Sequence, residues 1–146
     1  MTAPVSGFAD DRPFAAFLGE WAGTGDIVGS DGTHERIRCK ATGAESMGGA
    51  ELIQSIVCAS PSYRIDIQTQ AEASGQNVTG TWTEQTREVT GALIGTVGDG
   101  KFDGSVKGPG FTATVELRSN GRVQSVKIVP TGADITEVTI DLRPKT

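Results

Sequence analysis

Leu93-Ile94-Gly95-Thr96-Val97-Gly98-Asp99-Gly100-Lys101-Phe102-Asp103-Gly104-Ser105-Val106 is the stretch that decides the fold. Residues on either side of Asp99-Gly100 alternate between an apolar or glycine set and a polar set, which is the period of a half-buried strand. Asp-Gly is a two-residue loop whose backbone twist suits the strands it joins. Read as a hairpin, it sets Val97 opposite Phe102 and Leu93 opposite Val106. Apolar then meets apolar on one face.

The same signal recurs outward along the chain. With Ser74-Gly75 as loop, Ile67 faces Trp82 and Ala71 faces Val78. Gln85-Thr86 sets Glu84 against Arg87, Trp82 against Val89 and Val78 against Leu93. Asn120-Gly121 sets Val115 against Val126 and Ala113 against Ile128. Gly48-Gly49 sets Cys39 against Cys58. At Asp31-Gly32 a two-residue loop would bring Ile37 against Asp26, so a three-residue loop with a bulge, pairing Ile27 with Ile37, is expected. Ten strands follow, at about 21–29, 34–43, 50–60, 62–72, 77–84, 87–97, 101–107, 110–118, 123–130 and 135–142. Asp10, Asp11 and Pro13, with Phe14, Phe17 and Leu18 at helical spacing, predict a short helix over 11–18 that stops at Gly19. Sequential hairpins predict an all-β, antiparallel up-and-down meander barrel of 8–10 strands. Residues 1–10 read as a flexible lead and 11–146 as a single domain.

The 146 residues are enough for one core. A net charge of −5 argues against a nucleic-acid partner. No apolar run reaches roughly 18 residues, so no helical membrane span is expected. The first residues lack the apolar core of a signal peptide. The chain is therefore read as cytosolic, or as exported with its signal peptide removed.

The facing cysteines separate these two. Residues opposite each other in an antiparallel pair lie about 4.5–5.5 Å apart at Cα, which suits a disulfide. The alternatives are a reactive dithiol, a metal pair or two reduced cysteines packed as small hydrophobes. A metal site would lack ligands, since the chain has one His and no further Cys. A Cys39–Cys58 bridge favours a periplasmic or secreted location.

Little else suggests chemistry. His34 reads as an exposed turn residue, and no nucleophile–base pair can be assembled, so no catalytic residue is assigned and an enzyme is not expected. Glu35 and Glu84 have inward parity but sit at strand ends and read as rim charges. Arg36, Arg38 and Lys40 read as a solvated strand face. The inward parity places Gly80 opposite Gly91, Gly91 opposite Gly108 and Gly95 opposite Gly104. Missing side chains there either let the strands curve or leave a hollow beside Trp82. The second reading makes Trp82, Tyr63, Phe102 and Gly91 candidate ligand-binding residues. A connected apolar hollow of about 300 Å³ or more would favour a binding protein. A filled barrel would favour a structural or protein-interaction module.

Phe17-Leu18-Gly19-Glu20-Trp21-Ala22-Gly23-Thr24-Gly25 resembles the entry to the first strand in the calycin superfamily: lipocalins, fatty-acid-binding proteins, avidins and nitrobindins. The form Gly-x-Trp-x-Gly-x-Gly is most similar to nitrobindin-type barrels. The resemblance implies that Gly19 and Trp21 are structural and that a late-strand arginine, here Arg143, covers the Trp. Cys39, Cys58-Ala59-Ser60-Pro61-Ser62-Tyr63 and Gly80-Thr81-Trp82-Thr83-Glu84 resemble small exported bacterial proteins of unassigned function. The chain lacks the C-terminal His that would ligate haem, and two tryptophans are too few for a biotin pocket. No cofactor or metal is therefore implied, and the expected partner is a small apolar ligand inside the barrel.

Overall fold

In the computed structural model, which describes residues 12–145, ten antiparallel strands close into a barrel. They are β1 (Gly19–Gly29), β2 (His34–Ser46), β3 (Glu51–Ala59), β4 (Arg64–Ser74), β5 (Asn77–Glu84), β6 (Val89–Gly98), β7 (Lys101–Gly108), β8 (Phe111–Ser119), β9 (Gln124–Thr131) and β10 (Ile135–Pro144). Each strand pairs with the next, and β10 pairs with β1. The closure leaves no sheet edge open.

The expected helix is a single 3-10 turn, Ala15–Phe17, and its expected acidic start at Asp10 and Asp11 lies outside the described residues. Three residues per turn stack Phe14 above Phe17, and both are buried, at 2% and 1% exposure. The turn ends because Leu18 is already extended and Gly19 has φ +101, a conformation that costs little only for glycine. The segment plugs one end of the barrel. It is held there by an Arg12–Glu45 ion pair at 2.6 Å and by the Ser119 hydroxyl, which donates to the Ala16 carbonyl.

The registers show which local signals govern the hairpins. Cys39 faces Cys58, Val97 faces Phe102 and Leu93 faces Val106, as the turns predict. Three hairpins are displaced by two residues. Thr69, not Ile67, faces Trp82, and Ala73, not Ala71, faces Val78. Gly91, not Val89, faces Trp82. Leu117, not Val115, faces Val126, and Ile128 faces Val115. The causes are local. Gly75, at φ +63, opens a Gly75-Gln76 loop rather than closing one. The Glu84 carboxylate accepts from the amides of Thr86 and Arg87, fixing a four-residue loop. Asn120 Oδ1 accepts from the amides of Arg122 and Val123 at 2.8 Å, fixing another. A slide of two keeps every side chain on its face, so the inward set survives.

At the first hairpin Ile27 pairs with Glu35, not Ile37, and Ile37 faces Gly25. The Gly29 amide donates to the Thr33 carbonyl, which closes the expected three-residue loop over 30–32, and Asp31 Oδ1 accepts from the Thr33 amide and hydroxyl, but the ladder runs on without the bulge that would bring Ile27 to Ile37. The irregularity lies instead between β1 and β10, at Val28/Gly29.

The interior is unevenly filled. One half is dense. Trp21, Ile27, Ile37, Leu142 and the Cys39–Cys58 disulfide pack there, with a Cα–Cα distance of 4.1 Å across the bridge. Gln124, 0% exposed, is held in the interior at the start of β9. Neither of its amide atoms finds a partner among the described residues, a cost of about 1–3 kcal/mol. The other half contains a hollow.

Candidate functional site

Between the inward faces of β3 to β9 the barrel contains a cavity of about 250 Å³. Its walls come from the inward faces of these strands, including Ile67, Trp82, Phe102, Phe111, Val115 and Ile128. Several of these side chains are only half-buried although they point inward, because they face the hollow. The cavity is slightly below the expected 300 Å³, but the barrel is not filled. An apolar cavity of about 150 Å³ holds benzene, so this one suits a molecule of roughly ten non-hydrogen atoms.

The glycine row is not the hollow. A Cβ at Gly91 would lie 1.8 Å from the Lys107 carbonyl oxygen and 2.8 Å from Trp82 Cζ2. Phe111 and Trp82 rings cover Gly108, and the Phe102 ring covers Gly95 and Gly104. Gly95 faces Gly104 as expected, whereas Gly80 faces Leu93 rather than Gly91. The ladder between β6 and β7 begins at Ala92–Lys107, one step short of Gly91 and Gly108. The glycines thus form a floor on which aromatic rings lie. The Trp82 indole N–H donates to the Ala92 carbonyl at 3.1 Å, which pins the ring. Phe111 meets it at 5.8 Å between centroids and 59° between planes, within the favoured range for aromatic pairs. The cavity lies on the far side of these rings. Gly91→Ala is therefore expected to destabilise the fold by about 1–3 kcal/mol rather than trim the cavity. Urea unfolding of the variant checks this.

The expected site residues separate accordingly. Trp82 and Phe102 line the cavity. Gly91 supports Trp82 from beneath. Tyr63 packs against the dense half of the core instead. Trp21 is 2% exposed and its indole N–H donates to the Leu18 carbonyl at 3.1 Å. Arg143 does not cover it. Arg143 pairs with Ala22, is exposed, and so points to the opposite face of the sheet from Trp21.

One end of the cavity is charged. Glu84 and Arg87 line it, 3.1 Å apart. Burial raises the Glu84 pKa, but the Thr86 hydroxyl, the Asp66 amide and the Arg87 guanidinium and amide outweigh it and hold the carboxyl at about 2. Ionised Glu84 thus caps its own loop and ties it to β4. The unfolded carboxyl ionises near 4.5, so this contribution is complete above about pH 5 and is lost as pH falls from 4.5 through 2. A loss on the order of 2 kcal/mol is expected. Asp31, lowered by the Thr33 hydroxyl, and Glu35, lowered by the Ser60 hydroxyl, titrate in the same direction. The difference between wild type and Glu84→Gln in unfolding free energy against pH isolates the Glu84 share.

Two uncharged polar residues of the cavity wall escaped the sequence reading. Gln54 is 7% exposed and faces Thr69 across β3 and β4, and both line the cavity. The signal was present: Gln54 falls on the buried parity between Leu52 and Ile56.

No protein-family model matches this chain, and no curated protein matches it. Among solved structures, it is similar to the crystal structure of Rv2717c from M. tuberculosis, with a TM-score of 0.74 and 13% identity. The match covers 92% of this chain and 98% of that one, so the likeness concerns the whole barrel and extends to the fold alone.

Proposed function

We propose that this barrel binds a small, largely apolar ligand in the hollow beside Trp82 and performs no chemistry on it. The observation that carries the reading is the cavity of about 250 Å³ inside the barrel, lined almost wholly by apolar side chains. A void of this size lined by apolar side chains costs stability that filling would recover. Binding offsets that cost. The entry through Gly19 and Trp21 into a closed meander supports a calycin-type barrel, although Arg143 does not play the part that the resemblance gives it. The cystine supports a place outside the reducing cytosol, as a periplasmic or secreted protein.

Calorimetric titration with propylbenzene tests the reading. Wild type is expected to bind it saturably. Val115→Phe, which projects a ring into the hollow, is expected to abolish binding while keeping or raising stability. Equal binding by both proteins, or none by wild type, would argue for the filled interaction-module reading.

A further inference from the structure

We infer that the ligand carries one neutral hydroxyl or carbonyl group, bound head-first against Gln54 and Thr69. The inference rests on the cavity-binding reading and adds the ligand's chemistry. Gln54 and Thr69 are direct cross-strand partners in the barrel interior. Opposite residues share a face, so both polar groups are presented to the same space. Neither side chain has a hydrogen-bond partner among the described residues, although Gln54 is 93% buried by its 7% exposure. The Gln54 carboxamide faces the hollow, where a ligand hydroxyl or carbonyl supplies the partner that the described residues do not. Beyond the pair lies a second hollow of about 30 Å³, reaching the Phe14–Phe17 plug. Gln54, Thr69, Leu93, Phe102 and Leu117 line both hollows, which marks them as the step between body and head. The smaller space is about one water's share of liquid volume, the size of a single polar group.

The charges exclude an ionised head at this end. Among the described residues lining either hollow, only Glu84 and Arg87 are charged. On β5, Glu84 lies two residues beyond Trp82, the partner of Thr69, or about 7 Å along the strand. A carboxylate at Gln54 would be desolvated with no cation of its own, because Arg87 is already paired with Glu84 at 3.1 Å. A neutral group meets a donor and an acceptor on the Gln54 amide and a hydroxyl on Thr69.

The test compares propylbenzene, 4-propylphenol and 4-propylbenzoate by calorimetry on wild type, Gln54→Leu and Thr69→Val, each checked by thermal melting. In an apolar cavity with no polar partner, the phenol would bind more weakly than the hydrocarbon because its hydroxyl is desolvated. Wild type is expected to bind the phenol at least as tightly as propylbenzene, and the benzoate most weakly. Gln54→Leu is expected to weaken the phenol by about tenfold and leave propylbenzene unchanged or tighter. Thr69→Val, nearly isosteric, is expected to shift the same preference in the same direction. Propylbenzene binding with a phenol preference unchanged in both variants would overturn this inference and leave the cavity reading standing. Benzoate as the tightest ligand would also overturn it. No binding by any of the three would overturn both.

Discussion

Trp21→Ala is expected to lower the unfolding free energy by about 3–5 kcal/mol, the range for removing a fully buried large aromatic. Trp21 sits early in β1, where the strand leaves the plug and enters the dense half of the core. Its ring is 2% exposed, and its N–H satisfies the Leu18 carbonyl, the last residue before the turn into the barrel at Gly19. The ring therefore fills volume and fixes the direction of entry together. Trp21→Phe separates the two roles. It keeps most of the apolar contact and loses the hydrogen bond, so a smaller loss of about 1–2 kcal/mol is expected. Denaturant midpoints with unchanged slopes provide the check. A Trp21→Ala protein as stable as wild type would show that the dense half does not depend on this residue.

Replacing both Cys39 and Cys58 with Ala is expected to cost about 3 kcal/mol, from the loop-entropy estimate for cysteines 19 positions apart. Both side chains are at least 97% buried by their 3% and 1% exposures, so lost packing adds to the loss. The bridge lies in the filled half and neither cysteine lines the cavity. The double variant should therefore bind propylbenzene like wild type wherever it remains folded. Thiol titration of the unfolded, non-reduced protein should find no free thiol. Two free thiols would contradict the bridge and remove the support for an oxidising compartment.

Parity was legible in the sequence, and register only in part. Alternation through Leu93–Val97 and Phe102–Val106 identifies the inward set, because a strand's period is two whatever its partner. Register depends on the loop, and loops depend on side chains that alternation ignores. Glu84 and Asn120 each cap backbone amides and lengthen a turn that dipeptide signals read as short. Gly48-Gly49 gave the right register because the four-residue connection between Ser46 and Glu51 preserves it. The cavity wall was legible in Trp82 and Phe102 but not in the glycines. A glycine on the inward face marks either a hollow or a seat for a ring, and only the three-dimensional positions of Trp82, Phe102 and Phe111 decide which. Gln54 was visible as a polar residue on a buried parity, but its partner Thr69 becomes apparent only once β3 and β4 are paired.

The central claim is that one half of this barrel is hollow, and xenon reports such a hollow directly. A crystal of the protein pressurised with xenon is expected to show bound gas among Trp82, Phe111, Val115 and Ile128, with the Trp82 ring still seated on Gly91. No xenon inside the barrel, with the Trp82 and Phe111 rings turned inward to fill the space, would contradict it.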